Sequence, residues 1–495
     1  MISQVTSSRR LTPDLSIPLL LVAVSGMLIW WLGFRVANAQ YQPVLVGAIL
    51  VIDVCLTYAW WRASVYILLA YILVEGFLIN AFSSTELNLL KDAQIVLITL
   101  RLATSLVVRR AFPVPRADWV VPFFLFALVY TAEIFNPYSP SILVGLIGMR
   151  VTLLFFLCFV IAYWFFNDRE QVMRFLRFHN WVSLPVSSFG ILQYFTGPSL
   201  LLRISPGFSR AIYYAFDPSD PSSYSYFRTI STFASTAGLS QYLWIAAMLT
   251  IALMFVTTRP FDIVVCRVAL LVQACALLTT GSRGPFVLLF VSVFMGFAMM
   301  GHLRKAISGA LILLVFFGAS TMFLGSRVQR RFATILDFEM VKERNSALAM
   351  GQIEEATKTP VVGFGAGMGC AATNRLYPDV VVGSENQFAR IRYETGLAGL
   401  LLFGGAILVL FVDTLRKPRM LRDSRLRTIG CLAATMPLTA MLMFPVGQPL
   451  DVPPINFYFW FLIGLLQALL RIDYFEAAER APDQDAAPAL AGMRP

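Results

Sequence analysis

Apolar runs of roughly 14 to 25 residues recur from Ile17 to Leu470, and the better ones are long enough to cross a hydrocarbon core of about 30 Å as helices. Inside such a core every backbone N–H and C=O must be satisfied within the protein, and runs of this length achieve that as α-helices. At 495 residues, 58% hydrophobic and 14% charged, the chain has too little polar surface to cover a soluble domain. The pattern predicts an all-α, polytopic transmembrane helical bundle of about fourteen helices over residues 1–475. A disordered cytoplasmic tail rich in Ala, Pro and Asp is expected at 476–495.

The expected spans are 17–34, 43–60, 64–82, 93–108, 119–135, 142–166, 181–196, 238–257, 264–280, 286–300, 307–323, 396–415, 428–444 and 457–470. Arg9 and Arg10 precede the first run, but no small-residue cleavage site follows it, so it reads as a membrane helix rather than a leader. Alternate loops hold Arg9/Arg10, Arg62, Arg109/Arg110/Arg116, Arg169/Arg174/Arg177, Arg259, Arg304/Lys305 and the cluster from Arg416 to Arg427. By the positive-inside rule these loops are cytoplasmic, and so are both termini. Most of the net charge of +11 sits in them, so topology accounts for it and no nucleic-acid partner is expected. Membrane lipid is the expected solvent. The six cysteines show neither metal-ligand spacing nor a disulfide framework.

Two long segments, about 197–237 and 325–395, fall on the opposite side as large loops. They carry Pro, Gly, Tyr and mixed charge, so function is sought there. Both histidines, His179 and His302, are placed at cytoplasmic helix ends, which denies the outer face a histidine base or ligand. The Asp-x-Asp triplet Asp483 to Asp485 lies in the tail. No metal and no cofactor are therefore expected. The run Gly363, Gly365, Gly367, Gly369 lacks the strand-to-helix context of a nucleotide loop.

Arginine stands out on that side: Arg203, Arg210 and Arg228 in the first segment, then Arg327, Arg330, Arg331, Arg344, Arg375, Arg390 and Arg392 in the second. Guanidinium forks suit phosphate. The plainer alternative is solvated loop charge paired with Asp337, Glu339, Glu343, Glu354 and Glu355. Arg101, Arg150 and Arg283 lie in or beside apolar runs, where a charge requires a cavity or a partner. Arg150 stands about nine residues, roughly 13 Å, below the outer end of its helix. Either an outward-opening pocket or an ion pair with Glu133 or another acid would accommodate it. Arg283 sits at an outer helix-to-helix turn. Ser384 followed by Gln387 predicts a capping box, and on that helix Glu385 and Arg392 would share a face, about 10.5 Å apart along the axis.

Three stretches make the chain resemble the superfamily of O-antigen ligases and Wzy-type O-antigen and exopolysaccharide polymerases, which are bacterial membrane glycosyltransferases. They are Arg228-Thr-Ile-Ser-Thr-Phe233; Leu278-Thr-Thr-Gly-Ser-Arg-Gly284; and a late set comprising Arg344 to Ala349, Thr359 to Gly367, Ser384-Glu-Asn386 and Tyr393 to Gly399. The resemblance runs over roughly Phe123 to Leu415. It implies a bacterial inner-membrane location, a GT-C-like fold with the two long loops periplasmic, a donor glycan on undecaprenyl diphosphate, and outer arginines that neutralise the diphosphate without metal or nucleotide. The roles it suggests are catalytic for Glu385, Arg283 and Arg228, and substrate-binding for Arg150, Arg210, Arg344, Asn386, Arg390 and Arg392. Ligases of the family have a histidine where this chain has Glu385. That difference ranks a polymerase of lipid-linked repeat units first and a ligase onto lipid A core or protein second. A lipid-linked-glycan transporter is the rival from another class. Other polysaccharide-assembly proteins are the expected protein partners.

Overall fold

Polar side chains set where several helices begin. Ser141, Asp168, Ser235, Asn386 and Asp423 each hold extended backbone just before a helix, and each accepts a bond from an N–H two or three residues on. This satisfies donors that the first helical turn cannot. The computed structural model describes residues 41–84, 87–108, 117–216, 227–324, 359–370, 373, 377 and 386–480.

The helices of 12 residues or more up to the first long connection are α1 (Tyr41–Phe82), α2 (Asn88–Val108), α3 (Val120–Ala132) and α4 (Ile142–Leu153). They are followed by α5 (Leu157–Phe165), α6 (Arg169–Thr196), the short α7 (Ser199–Ile204) and α8 (Ser209–Ala215), then α9 (Thr236–Val256). Next come α10 (Pro260–Thr279), α11 (Arg283–Met299), α12 (Leu303–Leu324), α13 (Gln387–Met420), α14 (Ser424–Leu442) and α15 (Ile455–Arg480). No strand occurs among the described residues. Among the described residues, six helical runs are long and apolar enough to cross a membrane: Gly47–Phe82, Ile142–Phe165, Thr236–Val256, Pro260–Thr279, Gln387–Met420 and Ile455–Ala478. This is a multi-pass helical membrane protein. Val120–Phe135 and Arg283–Met299 are shorter apolar helices.

The runs in α9 and α15 are 78% and 83% buried, against 33% for α10, so α9 and α15 form the middle of the bundle. A Cβ on Gly464 of α15 would run into the Phe159 carbonyl and the Ala162 methyl of α5, so the missing side chain permits this close approach. Beside that contact, Trp119, Phe123, Phe156, Phe159 and Trp460 stack and edge against one another with centroids 4.8 to 6.2 Å apart.

Several expectations are corrected. The spans expected at 43–60 and 64–82 are not among them: α1 is two helices that meet at a break at Trp60 (φ −138°, ψ 61°). Thr57 Oγ1 reaches Ser64 Oγ at 3.0 Å, although seven residues of straight helix rise about 10.5 Å, so Arg62 sits at a sharp bend. The span expected at 181–196 begins instead at Arg169, capped by Asp168, with its arginines on the first turns of α6. His179 is thereby inside the bundle, 1% exposed, with Nε2 3.0 Å from the Tyr458 hydroxyl, and not at a helix end. The first long loop is partly helical: α7, α8 and the turn between them close over Leu201, Phe208, Ile212 and Ile230. The tail begins later than expected, because α15 continues to Arg480 and Glu476 accepts from Arg169 at 2.7 Å. The expected span 17–34, Arg327, Arg330, Arg331, Arg344, Arg375, Ser384 and Glu385 lie outside the described residues.

Successive helices alternate between two ends. At one end Arg169 bridges Asp423 and Glu476, and Arg177 pairs with Asp262. The loops with Arg62, Arg259, Arg304 and Arg425 are at this end. At the other meet residues 132–142, 227–236, 279–283, 359–370, 386–396 and 443–455; Ala366 N donates to Glu133 O at 3.1 Å there, and further bonds are described below.

Candidate functional site

Two of the sequence stretches singled out above lock together, although some 50 residues separate them. Thr229 N donates to Thr279 O at 3.5 Å and the two threonine hydroxyls lie 3.0 Å apart. Arg228 Nε donates to Thr280 O at 3.1 Å, and its Nη2 to Ser282 Oγ at 3.1 Å. The turn that presents Arg283 as first residue of α11 is therefore held by Arg228. Gln193 supports the arrangement from α6: Oε1 accepts from Ser231 N at 2.8 Å and Ile230 N at 3.3 Å, while Nε2 donates to Ser231 O at 3.1 Å. Arg228 and Arg283 are each half-buried. They place two permanent cations on either side of one turn.

The late stretches join in the same way. Phe364 N donates to Tyr393 O at 2.8 Å, Gly365 N to Glu394 O at 3.0 Å, and Leu397 N to Val361 O at 2.9 Å. α13 is broken at Gly396 (φ 67°, ψ −161°), and a Cβ there would strike the Val361 carbonyl. Only glycine meets both demands. The run of alternate glycines thus serves close packing: Gly363, Gly365 and Gly367 all have positive φ, and Gly367 lies against Gly148 of α4. The nucleotide-loop reading has no support in this geometry.

Beneath these loops lies a buried charge cluster. Arg390 is 0% exposed. Its Nε donates to Glu394 Oε1 at 3.0 Å, Nη2 to Thr152 Oγ1 at 2.7 Å, and Nη1 to Asp451. Glu394 also accepts from the Tyr130 hydroxyl at 2.6 Å and from Gly369 N at 3.1 Å. Three separate parts of the chain, at Thr152, Glu394 and Asp451, converge on one guanidinium. Burial pushes the Asp451 carboxyl up to about 6, against the pull of Arg390. A second charged group ties α1, α2 and α4: Lys91 pairs with Glu75, and Arg150 with Asp92.

The candidate residues therefore divide. Arg390, expected on substrate, faces inward, with its guanidinium bonded to Glu394, Thr152 and Asp451. Arg150 has its ion pair, with Asp92 and not with Glu133. Arg392 donates to Pro360 O at 2.8 Å and Thr359 O at 3.1 Å, which fastens the glycine segment to α13. Asn386 replaces the expected Ser384 as helix cap: Oδ1 accepts from Phe388 N and Ala389 N, and Nδ2 donates to Pro445 O at 2.6 Å. It fixes the backbone directly after Glu385. Arg210 is exposed, with its guanidinium 6.0 Å from the Tyr214 ring centroid. Arg228 and Arg283 come together, whereas Glu385 and Arg344 fall outside the described residues.

Sequence reasoning passed over Glu394, Asp451, Tyr130 and Thr152. Glu394 alone had a local signal, standing four residues after Arg390 on one helix face. No protein-family model matches the chain, and no curated protein matches it.

Proposed function

We propose that this protein is a glycosyltransferase of the bacterial inner membrane that polymerises glycan repeat units carried on undecaprenyl diphosphate, working on the outer face. In this reading the bundle has about fourteen spans in a GT-C-like arrangement, with the arginine-rich loops 62, 169–177, 259 and 416–427 inside. The observation that carries the proposal is the junction of Arg228 with the Thr280–Ser282 turn, which presents Arg228 and Arg283 together at the end opposite those loops. Fixed guanidinium groups at that position suit a diphosphate leaving group, where negative charge grows as the glycosidic bond breaks.

In the proposed reaction an acceptor sugar hydroxyl attacks the anomeric carbon of the donor. The new glycosidic C–O bond forms as the C–O bond to diphosphate breaks, and polyprenyl diphosphate leaves with the bonding pair. Arg228 and Arg283 take up the charge on the phosphate oxygens. Glu385, on the residue before the Asn386 cap, accepts the hydroxyl proton or orients that hydroxyl. Arg210, Arg344 and Arg392 border the path of the acidic lipid-linked chain, and Arg390 and Arg150 hold the helices that frame it.

The test is reconstitution in lipid with the natural undecaprenyl-diphosphate oligosaccharide, no nucleotide, and chelator present, with products resolved by size. Oligomers at regular repeat spacing are expected. Removing an electrostatic stabiliser of a developing anion typically lowers turnover on the order of 10²-fold, which is the loss expected for Arg283→Ala in correctly inserted protein. Donor consumed only on addition of lipid A core would assign a ligase. Donor moved across the bilayer without chemistry would assign a transporter, and either outcome overturns the polymerase reading.

A further inference from the structure

A cavity of about 560 Å³ lies between α9, α10, α11 and α12, away from the site above and toward the basic-loop end of the bundle. Its walls are apolar, among them Ile251, Met254, Leu271, Val293 and Phe297. Gly309 keeps one wall thin, since a Cβ there would meet Val293 Cγ1 at 3.2 Å. The polar exceptions include two adjacent cations at the rim, Arg304 and Lys305, on the first turn of α12. Both are exposed, and neither has an ion-pair partner among the described residues.

A third cation lies on α10. Arg267 is exposed in the middle of the apolar run Pro260–Thr279, one turn before the cavity-lining Leu271 and on the same face of α10. Its neighbours on that face, Val264, Val268 and Leu271, are 56%, 49% and 54% exposed, as expected of a lipid-facing surface. A charge on such a surface is costly without a partner. Asp262 on the same helix is already held by Arg177 and Thr257, at 3.0 Å each. Two cations thus stand at the rim of an apolar cavity that reaches Ile312, about 12 Å of helix beyond Arg304, and Arg267 stands one helical turn from the cavity wall on α10.

We propose that this cavity binds one anionic glycerophospholipid, with its phosphate on Arg304, Lys305 and Arg267 and an acyl chain between α10 and α12. Phosphate chemistry matches the guanidinium and ammonium donors, and the excess positive charge selects a net-negative headgroup over a zwitterionic one. The proposal is independent of the glycan reading, because it concerns other residues at the other end of the bundle.

Native mass spectrometry of the full-length protein in detergent, titrated with phosphatidylglycerol and phosphatidylcholine of equal chain length, tests it. One retained phosphatidylglycerol, with at least a tenfold preference over phosphatidylcholine, is expected. The triple variant R267Q/R304Q/K305Q, altered only at exposed side chains, should bring the two lipids level. Gly309→Leu, which fills the cavity, should reduce retention of both. Equal retention of both lipids by the unmodified protein, a preference that survives the triple variant, or no retained lipid at all would overturn the assignment. The last outcome would point to the chain's own residues after α12 as the occupant.

Discussion

Replacing Arg390 by Met removes the one positive charge in a cluster that holds two carboxylates, Glu394 and Asp451. Arg390 is 0% exposed and bonded to both acids and to Thr152, so water cannot take its place without opening the packing. Breaking a buried ion pair by removing one partner costs about 3–5 kcal/mol, because the remaining charge is left uncompensated. Here the loss belongs at the lower end, about 3 kcal/mol. Asp451 already titrates near 6 and can escape by taking up a proton, and Glu394 keeps its bonds from Tyr130 and Gly369. Unfolding followed by tryptophan fluorescence in mixed micelles measures the change. The triple variant R390M/E394Q/D451N leaves no buried charge and retains an acceptor for Gly369 N, so its loss should fall to about 1–2 kcal/mol. An Arg390→Met protein within about 1 kcal/mol of the unmodified one, or a triple variant as damaged as the single one, would refute the uncompensated-charge argument.

Asp451 gives the cluster a pH dependence of defined sign. Its folded value of about 6 exceeds the ordinary 3.8, so the folded state binds the proton more tightly and stability rises as pH falls through that window. The gain is roughly 3 kcal/mol between about pH 7.5 and 4, and Asp451→Asn should abolish that part of the slope in the same unfolding assay. Gly367→Ala should cost about 2–4 kcal/mol, because φ is +82° and the new methyl would strike the Val144 carbonyl oxygen. Gly404→Ala is the matched control: it lies in α13 with nothing within 4 Å of its Cβ position, and thermal melting should show no loss.

The sequence by itself determined the helical class, the places where most helices run, and the separation of basic loops from the other end. These follow from local quantities: the length of an apolar run, the period of a helix, a capping side chain such as Ser235 or Asp423, and the sign of charge in a connection. It also marked the stretches around Arg228 and Thr280, whose residue types signal an unusual turn. Tertiary structure decided which arginines are spent on the protein itself. Arg390 meets Asp451 across 61 positions and Thr152 across 238, and Tyr130 meets Glu394 across 264. No local pattern encodes those distances along the chain. Arg390 and Arg283 look alike in sequence, as cations near a helix start. Only packing turns the first inward to two acids and sets the second on a turn that Arg228 holds.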